Sequence, residues 1–558
     1  MTKEHTVTFL PTMNDLFNKT KQFVFKQQTS MLASSLILAG MMIVSRFAGF
    51  MRYRMLAGYF SKDELDIFFA AFRIPDLVFE VLINGALSTT FIPFFIKYEK
   101  REEQHKIISS IINTVLLVLS VTVVILAIIM PYVVPIMTPG FSQGKVIQIV
   151  FFSRILLLGQ LPLLILGNFL TGMSQSKKMF IIPAVAPVVY NLAIIFSTFF
   201  FASSLHLLAP VLGVVAGAVL FLLTQIPVVR YIKFKYKLVL SHARESLQFF
   251  RTAIPRVLTI IVSQIDATVD LSLATLLGSG SYTIFYLAQH LQLLPVSIVG
   301  ISVGQASLPY ISELYQEKKY DALRKIVIST LLNILYMAIP AAAFFAIMRT
   351  ATVRIFFGGD KFDWDATVAT AITLSFFCIS IPFHAMYYFV TRCYYAFFDT
   401  KTPFYTSSLA IGLNALLSVI FILGYHMPVW SLAVAFSISM SLHVILLLVL
   451  LHKKIGMYNV MYFFQEIVKM LVATFNSALI TFVTVRLLDG LILDTSRTIN
   501  VFILLTIGFG LFSTIYIFLS WFFGIQEAYV LSKMLPRVRL YGQKIIELYT
   551  GISESFTR

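Results

Sequence analysis

Charge is scarce in this sequence. Only 12% of its 558 residues are Asp, Glu, Lys or Arg, against about 25% in a soluble domain. Cysteine is nearly absent. Cys378 and Cys393 are the only two, and both fall in one predicted membrane span, so they build neither a disulfide framework nor a metal cluster. Catalytic signatures are missing too. There is no HExxH, no DDxxD-like run, no G-x-S-x-G and no Gly-rich phosphate loop followed by Lys. No loop is long enough to hold a nucleotide-binding domain, which argues against an ATP-driven pump. Residues 1–30 have neither the short apolar core nor the small-residue cleavage site of a signal peptide, and read as a cytoplasmic leader.

What the chain has in abundance is apolar surface: 58% hydrophobic residues and a mean hydropathy of +0.86. No soluble core could hide this much, so the expected class is an all-α polytopic membrane protein. A spanning helix needs about 20 apolar residues. That window places spans near 31–50, 65–97 (broken at Pro75), 107–130, 148–171, 181–203, 207–229, 252–278, 283–309, 325–348, 368–397, 404–425, 428–451, 466–488 and 498–523, about fourteen in all. An amphipathic basic tail follows.

Lys and Arg alternate from loop to loop. They crowd 97–106, 230–237, Lys318 with Lys319, and Lys453 with Lys454, while 131–147, 203–206, 278–282 and 425–430 hold one lysine between them. The positive-inside rule then puts both termini in the cytoplasm. The net charge of +17 is thereby spent on topology and on anionic headgroups, leaving no nucleic-acid role to explain.

The chain also repeats itself. TTFIPFFIKYEKR ends span two and QASLPYISELYQEKK ends span eight. Asn191 in span five is matched by Asn414 in span eleven, and the offset stays near 216–224 residues. Six spans separate the copies, so both keep one orientation, as in transporters built from parallel repeats around a central cavity. The expected organisation is a leader (1–30), a first lobe (31–240), a second lobe (241–455), two further helices (456–525) and a tail (526–558).

The charges inside spans are the candidate site. A charge near the bilayer centre costs roughly 2.5–3.5 kcal/mol even on the mildest scale, so it persists facing protein or water. Arg46, Arg52 and Arg73 suit a pyrophosphate, because the guanidinium fork contacts phosphate oxygens two at a time. Asp66, Asp76 and Glu80 either pair with those arginines or contact amides and hydroxyls of a substrate. His290 occupies the repeat position of Arg73 to within one residue. Asp266 and Asp270, four apart in span seven, with Asn414 and Ser418 in span eleven, make a Na⁺ or H⁺ coupling site, with bundle hydrogen bonding as the plain alternative. No other cofactor is called for.

One stretch carries a sharper signal. Residues 45–98 hold the pattern S-R-x-x-G-F-x-R, D-x-F-F-x-A-F-[RK]-x-P and G-A-[FL]-S-x-x-F-[IV]-P. It resembles the first two membrane helices of the MurJ/MviN family, lipid II flippases of the MOP exporter superfamily, and the likeness extends over nearly the whole chain. The resemblance implies that Ser45, Arg46 and Arg52 belong to the substrate-binding motif, and that Asp66 is the acidic residue before FF. It implies lipid II as substrate, membrane lipids and the cell-wall synthesis machinery as partners, a monomer, a bacterial inner-membrane location and no enzymatic activity. Two arginines usual in the family are here Phe79 and His290, and an acidic residue is Leu293, so the arginine triad is incomplete. The alternatives are a flippase for another undecaprenyl-linked oligosaccharide or a MATE-like drug or cation antiporter. A membrane glycosyltransferase would need a carboxylate-rich loop, and 358–365 lies on the wrong side for nucleotide sugars. A scaffold without transport would leave the buried charges unexplained.

Overall fold

The computed structural model describes residues 31–83, 90–98, 103–177, 179–456, 460–491, 494–495 and 497–528. The expected leader and nearly all of the basic tail lie outside them. The described residues are helical almost throughout. The helices are α1 (Met31–Tyr59), α2 (Lys62–Glu80), α3 (Ile92–Tyr98), α4 (Gln104–Met137), α5 (Gln143–Ile155), α6 (Leu161–Ser176), α7 (Ile181–Leu205), α8 (Leu208–Tyr231) and α9 (Ala243–Leu276). They continue with α10 (Ser281–Val296), α11 (Ser302–Gln316), α12 (Tyr320–Ile347), α13 (Arg349–Phe357), α14 (Trp364–Ala396), α15 (Lys401–Val419), α16 (Trp430–Ile455), α17 (Val460–Leu491) and α18 (Thr498–Phe522).

By length and composition, eleven helical spans among the described residues can cross a membrane. The other three expected spans are helical as α1, α2 with α3, and α9. They carry Arg46, Arg52, Asp66, Arg73, Asp76, Asp266 and Asp270. Helices α1 to α8 pack mainly on one another, as do α9 to α16, and α17 and α18 lie against α12 and α13.

The internal repeat is visible in the backbone. A wide, π-type turn occupies 81–83 after α2 and Ser297–Ile301 after α10, at the 216-residue offset of the sequence repeat. Such turns re-aim a helix within the bilayer. The break in span two therefore comes after Glu80, not at Pro75, which sits inside α2. Proline removes a backbone donor and frees the carbonyl four residues back. Here Ser153 Oγ donates to that carbonyl, Ala71 O, at 2.9 Å. The same repair recurs twice: Arg154 Nε donates to Ala127 O, freed by Pro131, at 2.8 Å, and Tyr516 Oη donates to Tyr336 O, freed by Pro340, at 3.0 Å. In lipid, where no water can repair the ladder, these bonds let the helices run on through proline.

Polar ties join the two halves at the end away from the basic loops. Arg54 Nη1 donates to Arg354 O and Ile355 O near the end of α13, at 2.9 and 2.6 Å. Lys62 pairs with Asp363 at 3.0 Å. A Cβ on Gly359 would stand 2.6 Å from Gly58 Cα, so this contact needs glycine. At the opposite end the rings of Phe94 and Phe249 meet edge to face, 5.7 Å apart.

Candidate functional site

A cavity of about 490 Å³ opens among α1, α2, α6, α7, α8 and the turn Leu156–Gln160 that leads into α6, with Tyr286 of α10 forming one wall. Arg52 and Asp76 line it together. The Arg52 guanidinium stands 4.7 Å from the centre of the Tyr53 ring, and its Nε is buried with no hydrogen-bond partner among the described residues. A guanidinium held on an aromatic face with an unspent donor is primed for an anion.

The other wall was not foreseen from the sequence. Gln160, Asn168, Thr171 and Gln175 project from one face of the α5–α6 helix into the cavity, opposite Tyr190. Their spacing of eight, three and four residues was the available signal, since polar side chains repeating on one face of an apolar span mark a wet surface. Gln160 Nε2 lies 3.3 Å from Tyr190 Oη. Gln160 Oε1 and Thr171 Oγ1 are buried without partners among the described residues. Amides and hydroxyls of this kind suit sugar hydroxyls and peptide groups.

The remaining expected site residues are placed as follows. Arg73 is turned to the second half: its Nε donates to Thr268 Oγ1 at 3.1 Å and its Nη2 to Gln264 O and, at 2.9 Å, Gln264 Oε1. Its fork is thus largely occupied by α9. Asp66 is fully buried away from the cavity lining. It accepts from Gly280 N at 2.6 Å and Thr283 N at 2.8 Å, with the Thr283 hydroxyl at 2.8 Å. It thus satisfies the open N–H groups at the start of α10 across the two halves. Gly280, at φ +82°, supplies the left-handed backbone that this approach requires.

This placement sets a prediction. Asp66→Ala strips partners from two buried N–H groups, at about 2–4 kcal/mol in total. The purified protein should show a clearly lower unfolding midpoint, with Asp66→Asn intermediate. An unchanged midpoint together with lost transport would return Asp66 to substrate contact.

Ser45 and Arg46 are half-buried on α1 outside the cavity lining, with Arg46 in electrostatic range of Tyr388 and His290. Glu80 ends α2, outside the lining, in range of Asp76. His290 stacks near Tyr286, ring centres 4.1 Å apart, and its Nδ1 lies 2.8 Å from Tyr286 O. A carbonyl only accepts, so Nδ1 is the donor in this contact.

A second cluster forms between α9 and α15. Asn414 Nδ2 donates to Asp266 Oδ1 at 2.8 Å. Beside it, Asp270 Oδ1, Asn414 Oδ1 and Ser418 Oγ are buried without hydrogen-bond partners among the described residues. Asp266, Asp270 and Asn414 are thus brought together, with Ser418 one turn further along α15.

Two repeated helical lobes, with two helices appended and a polar cavity lined mainly by the first lobe, make a polytopic helical membrane protein. The likeness to an inward-facing multidrug resistance MATE-family transporter of the MOP superfamily is a matter of fold: TM-score 0.64 at 12% identity, covering 74% of this chain and 94% of the other. The solved structure of a lipid II flippase MurJ in an inward closed conformation matches with a TM-score of 0.72 at 24% identity, over 87% of this chain and 99% of that one. The family model for lipid II flippase MurJ matches residues 56–510. The chain belongs to that family. Among its relatives, lipid II flippase MurJ of Thermosipho africanus is 28% identical over 75% of this chain and 85% of its own length. A probable lipid II flippase MurJ of Borreliella burgdorferi is 26% identical over 74% and 81%.

Proposed function

We propose that this protein moves lipid II across the bacterial inner membrane, from the cytoplasmic to the outer leaflet, by alternating access. The observation that carries the reading is the cavity itself, a membrane-embedded Arg52 with an unspent donor facing a row of neutral amides and hydroxyls. Arg52 takes the pyrophosphate, and Gln160, Asn168, Thr171 and Gln175 take the sugar and peptide. Asp76 balances Arg52 when the cavity is empty. The undecaprenyl tail stays in the bilayer, flanked by α17 and α18. The test is rescue: cells depleted of their own lipid II flippase should grow and export precursor when this chain is expressed. Failure to rescue by a protein that reaches the membrane would point to another undecaprenyl-linked oligosaccharide.

The direction of transport follows from orientation. The segment between the halves, 232–242, is held on α4, where Asn113 Nδ2 donates to Lys237 O and Val239 O at 2.9 Å each. It carries Lys233, Lys235 and Lys237, and its place is the cytoplasmic side. Single cysteines there, in a background lacking the buried Cys378 and Cys393, should react with an impermeant thiol reagent only after permeabilisation. Labelling in intact cells would reverse the orientation.

Resetting the transporter needs energy, and the cluster at Asp270 is the proposed place where it enters. Three unpartnered buried oxygens, from a carboxylate, an amide and a hydroxyl, fit a hard monovalent cation such as Na⁺, which prefers oxygen donors, or a proton on the carboxylate. Asp270, Asn414 and Ser418 would hold the ion. Asp266 would orient Asn414 through its amide bond.

A further inference from the structure

The two appended helices hold a second set of buried charges that neither the cavity nor the Asp270 cluster uses. Glu466 in the second turn of α17 is 3% exposed, and Glu527, just beyond α18, is 5% exposed. Lys469 lies 2.7 Å from Glu466 Oε1 and is itself 39% exposed. Glu466 Oε2 and Glu527 Oε2 are both buried with no hydrogen-bond partner among the described residues. The two residues are brought to one place by the hairpin. Tyr462, one turn before Glu466, donates through Oη to Oε1 of Gln526, next to Glu527, at 3.3 Å. Glu527 lies in electrostatic range of both Glu466 and Lys469.

One ammonium faces two carboxylates here. If both were ionised, a surplus negative charge would sit in an apolar helix joint with two oxygens bonded to nothing. A buried charge left unpaired is costly, and two carboxylates sharing a site do not both ionise readily. A single proton removes the surplus charge and turns a carboxylate that can only accept into a carboxyl that can also donate. Among the described residues, Tyr462 on α17, Tyr516 on α18 and Tyr336 on α12 are in electrostatic range of Glu527, and none of these supplies a second cation. The same elements also carry Arg324, Lys325 and Asp321 on α12 and Arg486 and Asp489 on α17, with Arg324 bonded to Asp321 and to Ile455 O. The half-exposed Lys469 gives the pair a route to water.

We propose that Glu466 and Glu527 form a proton-binding pair that latches the ends of α17 and α18 together. With the proton bound, the carboxyls bridge the hairpin. Without it, like charges push α17 from the end of α18. The motion would reach the transport lobes through Tyr516, whose hydroxyl holds the carbonyl freed by Pro340 in α12.

The test uses the full chain in lipid nanodiscs. Infrared difference spectra taken across a pH change should contain a protonated-carboxyl carbonyl band that disappears in both Glu466→Gln and Glu527→Gln, and that persists, shifted, in Glu527→Asp. The unfolding midpoint of the wild-type protein should fall as pH rises through the range in which this band is lost. Glu527→Gln should flatten that dependence, because glutamine donates a hydrogen bond at every pH. A band unchanged in both Gln variants overturns the proposal. So does a rise in unfolding midpoint with NaCl, absent with KCl and lost in Glu527→Gln, since that result would put a metal ion where the proton is drawn. Should Glu466→Gln fail to fold, Glu527→Gln and Glu527→Asp still decide the outcome.

Discussion

Cells that depend on this chain as their lipid II flippase are expected to stop growing when Arg52 is changed to Ala, although the variant still reaches the membrane. Arg52 lines the cavity, with an aromatic face beneath it and a buried Nε that bonds nothing among the described residues. A bidentate contact from such a group to a pyrophosphate is worth about 3 kcal/mol or more, roughly a hundredfold in affinity. The loss is compounded, because Asp76 on the same cavity wall loses one of the two guanidinium groups in electrostatic range of it, the other being Arg73, so the cavity becomes less attractive to an anionic headgroup. Arg52→Lys should rescue poorly, since an ammonium restores the charge but neither the planar fork nor the stacking on Tyr53. Arg46→Ala should also impair export, through the field at the His290 side. The measurement is the amount of lipid II reaching the outer leaflet per unit of membrane-inserted protein. Full export by Arg52→Ala would remove Arg52 from the substrate site.

The contrast between Arg52 and Arg73 shows how far the sequence could be read. Both were legible as charges that must face something other than lipid. Which of them would be spent was not, because that depends on what stands opposite in space. Arg73 meets Gln264 and Thr268 of α9, nearly 200 positions away in the chain, and becomes a strut between the halves. Asp66 was legible as an acid at a helix end, but its partners are the open N–H groups of α10, a pairing created by the packing of the two repeats. Pro75 was read as a break because a proline removes a hydrogen bond. Ser153 restores it from a neighbouring helix, and single-segment reasoning cannot see that hydroxyl. The spans themselves were legible because the bilayer imposes their length, and the repeat because its matched features are polar or proline, which apolar drift does not produce.

The four residues of the second cluster were legible together for a related reason. A carboxylate, an amide and a hydroxyl in two separate apolar spans have few places to go except toward each other. The sequence left open which acid the amide would choose. It donates to Asp266 Oδ1 and is within hydrogen-bond range of Asp270 as well, whose Oδ1 is left without a partner among the described residues.

Asp270→Asn is therefore expected to slow turnover sharply while leaving lipid binding intact. An ion that drives the cycle must bind the two conformations unequally, since only differential affinity shifts the equilibrium. The membrane potential offers about 2.3 kcal/mol per charge per 100 mV, roughly a fiftyfold bias if one full charge crosses the field with each cycle. Asparagine keeps the shape of Asp270 but can neither ionise nor neutralise a cation, so the variant should lose most of that bias. Export should fall by about tenfold or more in energised cells, while its response to added Na⁺, to external pH and to collapse of the potential flattens. Asp266→Asn should be milder, because Asn414 can still be oriented by the new amide's oxygen and Asp270 keeps its carboxyl group. Ser418→Ala should weaken the ion dependence without abolishing it. The decisive comparison is between binding and turnover: normal lipid II binding to purified Asp270→Asn with a flattened ion response locates the coupling at this cluster. Wild-type export with an unchanged response to Na⁺, pH and potential would make the cluster a structural hydrogen-bond joint and move the coupling elsewhere.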